Sequence, residues 1–235
     1  MSLRTSQVEN RGLKSRLKNL VLPSGSAPRK IRSGILAGVA MELDFAHNTQ
    51  RWLGLQEREL YGWFRRLSNG IATAIDVGAN DGMYTLYFLA KTPAQKVLAF
   101  EPSEGLIQMR KNLALNRFEN DPRLELVTKT VGTVATGQDV SLDSYLDRIQ
   151  FPCLVKVDID GGETSMLEGS RQLLAHPQVR WIIEVHSADL QEKCLEILKQ
   201  AGYRTFVVRN AWWRHILPEL RPVELNQWVV AVPSK

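Results

Sequence analysis

The stretch Ala74-Ile75-Asp76-Val77-Gly78-Ala79-Asn80-Asp81-Gly82 passes from a short apolar, β-branched run straight into small turn residues. Such a run reads as a strand that ends at Val77 and turns sharply, with glycine where the backbone must approach a ligand or adopt a left-handed conformation. Dinucleotide-binding proteins use G-x-G-x-x-G at this turn, and its middle glycine lets the main chain touch a pyrophosphate. Here Asn80 replaces that glycine and Asp81 stands at the helix start, so a phosphate would meet negative charge.

Working outward, short β-branched runs alternate with helical segments, the pattern of a parallel sheet covered on both faces. Strands are expected at about 72–77, 96–101, 124–129, 153–159 and 179–186. Ser103 is placed to start a helix with Leu106, Met109 and Leu113 on one face. A later helix bearing Leu190, Cys194, Leu195, Ile197 and Leu198 should stop at Gly202. Tyr203–Arg209 and Gln227–Val232 then read as a closing antiparallel hairpin, because no useful helix lies between them. The expected architecture is α/β: a Rossmann-like, mostly parallel seven-stranded sheet with a terminal antiparallel hairpin and helices on both faces, the layout of class I methyltransferases.

The second strand ends in Phe100-Glu101-Pro102, and Glu101 lies nineteen residues beyond Gly82, where an acid can accept both hydroxyls of a ribose. A cofactor without phosphate but with a sulfonium and an amino group suits acids at this place. S-adenosylmethionine has both. The candidate cofactor-binding residues are therefore Asp76, Gly78, Asn80, Gly82, Glu101, Ser103 and Asp158.

The 235 residues carry a net charge of +5, but the charge is uneven. Residues 1–33 hold eight basic side chains against one acid, Glu9, which leaves the remainder at −2. A basic arm on a near-neutral body argues against nucleic acid as the main partner. Residues 1–28 are read as arm and linker, 29–68 as a helical cap built on Trp52, Leu53, Leu60, Trp63, Phe64 and Leu67, and 69–235 as the catalytic domain. The apolar run Gly34–Met41 is too short to span a bilayer, and Leu20–Leu22 is cut off by Pro23, so no membrane span or secretory leader is expected and the residence expected is cytoplasmic. Cys153 and Cys194 lack metal-type spacing and read as buried thiols. The pattern leaves a homo-oligomer open.

The sequence resembles the FkbM family of methyltransferases. The resemblance rests on Ile75–Gly82, Phe100-Glu101-Pro102-Ser103, Asn112–Asn116, Ser141-Leu142-Asp143 and Lys156–Glu163 with Leu167, Glu168 and Gly169; upstream it extends through Leu53–Leu60, covering about residues 30–190. It implies methylation of a small-molecule or saccharide acceptor. Asp160 departs from the family, which usually has Glu there, and sets the carboxylate one methylene further back.

Methyl transfer to oxygen needs an acceptor held in line and stripped of its proton. The ends of the fourth and fifth strands carry Asp158 with Asp160 and Glu184 with His186, so Asp158, Glu184 and His186 are the catalytic candidates. Two readings stay open. Asp158 and Glu184 resemble the acids that hold a divalent metal in catechol-type O-methyltransferases; oxygen ligands would favour magnesium or calcium, and His186 would tolerate manganese or zinc. Without metal, Asp158 takes the cofactor's amino group and His186 or Glu184 is the base. Plainer roles compete: Asp160 and Glu163 at a helix start, His186 as the cap of the next helix, His176 in a loop, and Trp212, Trp213 and His215 as packing rather than acceptor-lining groups. His47 is uninformative. The rival functions are a nucleic-acid methyltransferase that uses the basic arm, a noncatalytic cofactor-binding module and a nicotinamide dehydrogenase.

Overall fold

A computed structural model describes residues 25–133, 139–215 and 227–234. The chain divides into two compact units, one ending at Gln56 and one beginning at Glu57. Most of the basic arm, residues 1–24, lies outside the described residues.

The first unit differs from the helical cap expected over 29–68. It opens with an antiparallel pair, β1 (Ser26–Lys30) and β2 (Ala40–Asp44), so residues assigned to the linker are strand. The reason is a period of two: Met41 and Leu43 are buried while Ala40, Glu42 and Asp44 are half-buried. Pro28 is tolerated because β1 has only one neighbour. Helix α1 (Phe45–Trp52) follows, capped by the Asp44 side chain on the Ala46 N–H. The helical spacing from Trp52 to Leu67 is then interrupted. Gly54 is left-handed (φ +67°), and a Cβ there would lie 2.2 Å from the Ser33 carbonyl oxygen.

In the second unit a 3-10 turn (Arg58–Leu60) and α2 (Tyr61–Leu67) precede β3 (Thr73–Val77), α3 (Met83–Lys91), β4 (Lys96–Phe100), α4 (Gly105–Leu115) and β5 (Leu124–Val127). A short parallel pair, β6 (Thr130–Val131) with β7 (Asp139–Val140), leads into a 3-10 segment (Leu142–Arg148). Next come β8 (Cys153–Val157), α5 (Glu163–Glu168), α6 (Arg171–Leu174), β9 (Val179–Val185), α7 (Ala188–Gln200), β10 (Tyr203–Val208), a 3-10 turn (Trp212–His215) and β11 (Gln227–Pro233).

Seven strands form one sheet in the order β10-β11-β9-β8-β3-β4-β5, and β11 alone runs against its neighbours. Every residue of β3 and β8 is buried, so both faces of the central strands are covered. Helix α3 is apolar nearly all round because α2 covers it: Phe64 stacks on Tyr84 at 4.5 Å and meets Tyr87 edge-on. The helix with Cys194 and Leu198 inward ends as expected at Gly202, whose φ is +85°. Cys153 and Cys194 are buried free thiols, with burial pushing Cys194 up to about 12 and Cys153 higher still.

Topology also fixes where a ligand can sit. From β3 the chain crosses to β4 and β5 on one side, and from β8 it crosses to β9 on the other. Adjacent parallel strands whose connections part in this way open a crevice at their carboxyl ends.

Candidate functional site

At that crevice Gly78 follows β3 and Asp158 follows β8. The Asp158 N–H donates to the Val77 carbonyl at 2.9 Å, and a Cβ on Gly78 would lie 1.9 Å from the Asp158 carbonyl oxygen. Gly78 and Gly82 are left-handed (φ +76° and +85°), and Asn80 shares that region at +47°. Only glycine fits at Gly78, where backbone meets backbone. Asn80 is a residue type that tolerates the left-handed well.

The loop turns its amides toward Glu101. The Asn80 N–H donates to Glu101 Oε2 at 2.6 Å, and the Ser103 N–H donates to Oε1 at 2.8 Å. Each carboxylate oxygen retains acceptor capacity for a hydroxyl. Ser103 Oγ accepts the Gly105 N–H at 3.1 Å, so it caps the start of α4 as its position predicts. Asn112, buried in α4, donates to the Asp81 carbonyl at 2.8 Å and ties the helix to the loop. Asp76 lies beneath, accepting from Thr85 Oγ1 at 2.6 Å. Burial raises its carboxyl to about 6 against the opposing pull of Thr85 and Lys156.

The second half of the site lies at the ends of β8 and β9. His186, 11% exposed, donates from Nδ1 to Glu163 Oε1 at 2.8 Å. Its Nε2 faces Asp160 Oδ1 at 3.5 Å, Asp158 Oδ1 at 3.6 Å and Glu184 Oε1 at 3.9 Å. The Glu163 hydrogen bond raises the imidazole above its ordinary value; burial opposes this, and Asp158, Glu163 and Asp160 add to the rise. The plainer roles for two residues are displaced. Ser187, not His186, caps α7 by accepting the Leu190 N–H at 3.2 Å, and buried Glu163 gives its carboxylate to the imidazole. Asp160 is almost fully exposed and makes no side-chain cap.

One group was missed in the sequence. Lys156, fully buried on β8, sets Nζ 3.6 Å from Asp158 Oδ2 and 3.7 Å from Glu184 Oε2, and donates to the Val157 carbonyl at 3.2 Å. Burial works to lower its pKa, yet Asp158, Glu184, Glu57 and Asp76 outweigh burial and hold the ammonium protonated. Trp228 Nε1 donates to the same Glu184 oxygen at 3.1 Å. Under the ammonium lies the Tyr84 ring at 5.0 Å, its hydroxyl donating to buried Glu57. A lysine inside the apolar run Cys153–Val157 was the available signal. Glu57, left-handed at φ +48°, had none.

Lys156 bears on the metal expected between Asp158 and Glu184. These two and His186 do bring one ligand atom each within 4.8 Å of one another. A divalent cation on both carboxylates would nevertheless share them with a buried ammonium. At a separation of about 5 Å the repulsion between charges of +2 and +1 is about 7 kcal/mol for an effective dielectric of 20. The ammonium already stands beside one oxygen of each carboxylate, so a divalent metal would bind there in competition with a cation of the chain itself. Four carboxylates against one lysine still leave the cluster negative, which suits a sulfonium and an amino group.

Beside the site, Glu59 forms a buried two-pronged bridge to Arg214, 2.9 Å to Nε and 2.8 Å to a terminal nitrogen, and accepts the Ala211 N–H at 3.0 Å. This pins the 3-10 turn after β10. Trp213 packs on the Arg214 guanidinium at 4.2 Å, whereas Trp212 is 77% exposed and His215 is exposed. His176 lies in the loop before β9, its ring stacked on Phe151 at 3.4 Å.

Residues 126–205 match the methyltransferase FkbM domain. Among solved structures with the same fold is methyltransferase FkbM from Methylobacillus flagellatus, 16% identical with a TM-score of 0.55 over 68% of this chain; the chain spans 43% of that protein's length. Precorrin-6y C5,15-methyltransferase from Geobacter metallireducens is 16% identical with a TM-score of 0.52, over 76% of this chain and 88% of its own. Ribosomal protein L11 methylase from Lactobacillus delbrueckii subsp. bulgaricus is 14% identical with a TM-score of 0.51, over 77% and 80%. No curated protein matches the chain. No helix among the described residues is long and apolar enough to cross a membrane. The chain thus has the class I methyltransferase fold, and its residues 126–205 are similar to the FkbM methyltransferase domain.

Proposed function

We propose that the chain is an S-adenosylmethionine-dependent O-methyltransferase acting on a hydroxyl of a small molecule or saccharide. The observation that carries this reading is the Glu101 carboxylate, held by the Asn80 and Ser103 amides across a left-handed loop with no room for a Cβ at Gly78. That cradle, acidic and without a phosphate site, fits the cofactor, which when bound supplies a methyl group on a sulfonium.

In this reading Glu101 would accept the ribose hydroxyls, Asp158 would hold the amino group, and Gly78 lets the loop close on Asp158. His186 Nε2 would accept the acceptor's hydroxyl proton, while the bound cofactor would supply the methyl group and be left as its neutral thioether. Nδ1 donates to Glu163, which leaves Nε2 as the basic atom. Of the two bases the sequence left open, His186 is the better placed, because Glu184 is fully buried and engaged by Lys156 and Trp228. The near-neutral body and the acidic cluster support an uncharged acceptor over a nucleic-acid backbone.

Calorimetry with S-adenosylhomocysteine and with NAD tests the cofactor. Saturable binding of the first and none of the second is expected, with Glu101→Ala weakening it about 10- to 100-fold, the size of a lost charge-assisted pair of hydrogen bonds. NAD binding, or Glu101→Ala binding as tightly as wild type, would end the reading. Transfer of labelled methyl from S-adenosylmethionine to neutral saccharides and hydroxylated small molecules, compared with RNA, tests the acceptor class.

A further inference from the structure

We propose that Lys156 is the resident cation of the methyl-transfer site, a positioning residue that takes the place of a divalent metal between Asp158 and Glu184 and makes the site independent of metal. The inference rests on the preceding reading only in that these two carboxylates face the cofactor and acceptor.

Three observations carry it. The ammonium is fully buried, so its charge is not spent on solvent but acts on the groups packed around it. It stands almost equidistant from one oxygen of each carboxylate, 3.6 Å and 3.7 Å, bridging the ends of two adjacent strands as a bound metal would. It is also held from behind: Nζ donates to the Val157 carbonyl, and the Tyr84 ring lies beneath it. Trp228 Nε1 meets the Glu184 oxygen that Lys156 meets. The other oxygens, Asp158 Oδ1 and Glu184 Oε1, turn toward His186 Nε2. Each carboxylate therefore has one oxygen near the ammonium and the other near His186. A fixed ammonium supplies their counter-charge from within the chain, where a divalent cation would have to be bound from outside.

The test uses the full chain, treated with EDTA and desalted, and manganese(II) chloride as the probe in calorimetry and electron paramagnetic resonance. Wild type should show no manganese site tighter than about 1 mM. Lys156→Met, which leaves two carboxylates without their counter-charge, should bind manganese at least about 10-fold more tightly than wild type, and the ion should raise its unfolding midpoint but not that of wild type. A Lys156→Met protein that folds and gains no manganese binding overturns the proposal. If that variant does not fold, wild type decides alone: stoichiometric manganese binding that is lost in Asp158→Asn overturns the proposal, and its absence upholds it. S-adenosylhomocysteine affinity of wild type should be the same in EDTA and in excess magnesium. Failure to bind S-adenosylhomocysteine at all would count against the cofactor reading, while the manganese titration would still report on Lys156.

Discussion

Gly78→Ala separates a backbone cost from a steric one at the heart of the site. Gly78 has φ +76°, and an L-residue held in the left-handed region costs about 1–2 kcal/mol. The new methyl would also lie 1.9 Å from the Asp158 carbonyl oxygen and 2.9 Å from Ile159 Cγ2. The backbone at Asp158 cannot simply retreat, because its N–H is bonded to Val77 at 2.9 Å. Forcing an extra carbon into a packed position adds about 1–3 kcal/mol, giving a total of about 2–5 kcal/mol. For a chain of this size that lowers the unfolding midpoint by about 4–20 °C. Gly202→Ala is the control: its φ is +85°, yet nothing lies within 4 Å of an added Cβ, so it should lose only the backbone part, about 1–2 kcal/mol. Calorimetric unfolding measures both. S-adenosylhomocysteine titration should find at least about a 10-fold loss of affinity in Gly78→Ala and none in Gly202→Ala. Equal destabilisation of the two variants, or unchanged affinity in Gly78→Ala, would refute the claim that loop and β8 meet at that glycine.

Three further outcomes are expected. Arg214→Ala strands buried Glu59 and should cost about 3 kcal/mol in urea unfolding. Although burial raises the Glu59 carboxyl, the bonds from Arg214 and Ala211 hold it below 4.5, so the deficit should be full above pH 4.5 and close as pH falls below that value. Asp76 behaves oppositely: burial lifts it from 3.8 to about 6, which means the ionised form carries a cost of about 3 kcal/mol that is absent below pH 3.8 and complete above pH 6. Asp76→Asn should therefore gain stability relative to wild type as pH rises through that window, and a flat difference between pH 4 and 7 would contradict the assignment. Glu163→Gln should move the His186 midpoint, followed by its ring-proton NMR signal, down toward 6.5, because the Glu163 hydrogen bond is the main cause of the rise. The stability His186 contributes is full below 6.5 and lost as pH rises past its folded value, so the variant should lose most at acidic pH.

The parallel sheet was legible because buried strands are continuous apolar runs bounded by turn residues. Expected strands at 153–159 and 179–186 appear at Cys153–Val157 and Val179–Val185, with their acids at the strand ends. Gly78, Asn80, Gly82, Glu101 and Ser103 converge on one crevice because their chemistry is local to two successive strand ends. Contacts from distant sequence were harder to read. That His186 meets Glu163 depends on α5 returning toward β9, and a glutamate at a helix start has a local explanation already. Lys156 looked like one element of a motif, since only the fold reveals that no solvent reaches it. The N-terminal region misled for another reason: six apolar residues between Trp52 and Leu67 keep helical spacing across Gly54, and the two-residue alternation of β2 is too short to compete.

The position of β11 governs when the site can exist. It inserts between β9 and β10, and its Trp228 supplies the indole that engages Glu184. On a ribosome, β9 and β10 emerge before the strand that separates and pairs with both, so the Val179–Val185 edge lacks its native partner until Gln227–Pro233 arrives. Acquisition of a competent acidic cluster is thereby tied to the last described strand to be made, and a polypeptide arrested before residue 227 is a candidate for chaperone capture instead of a partly active enzyme.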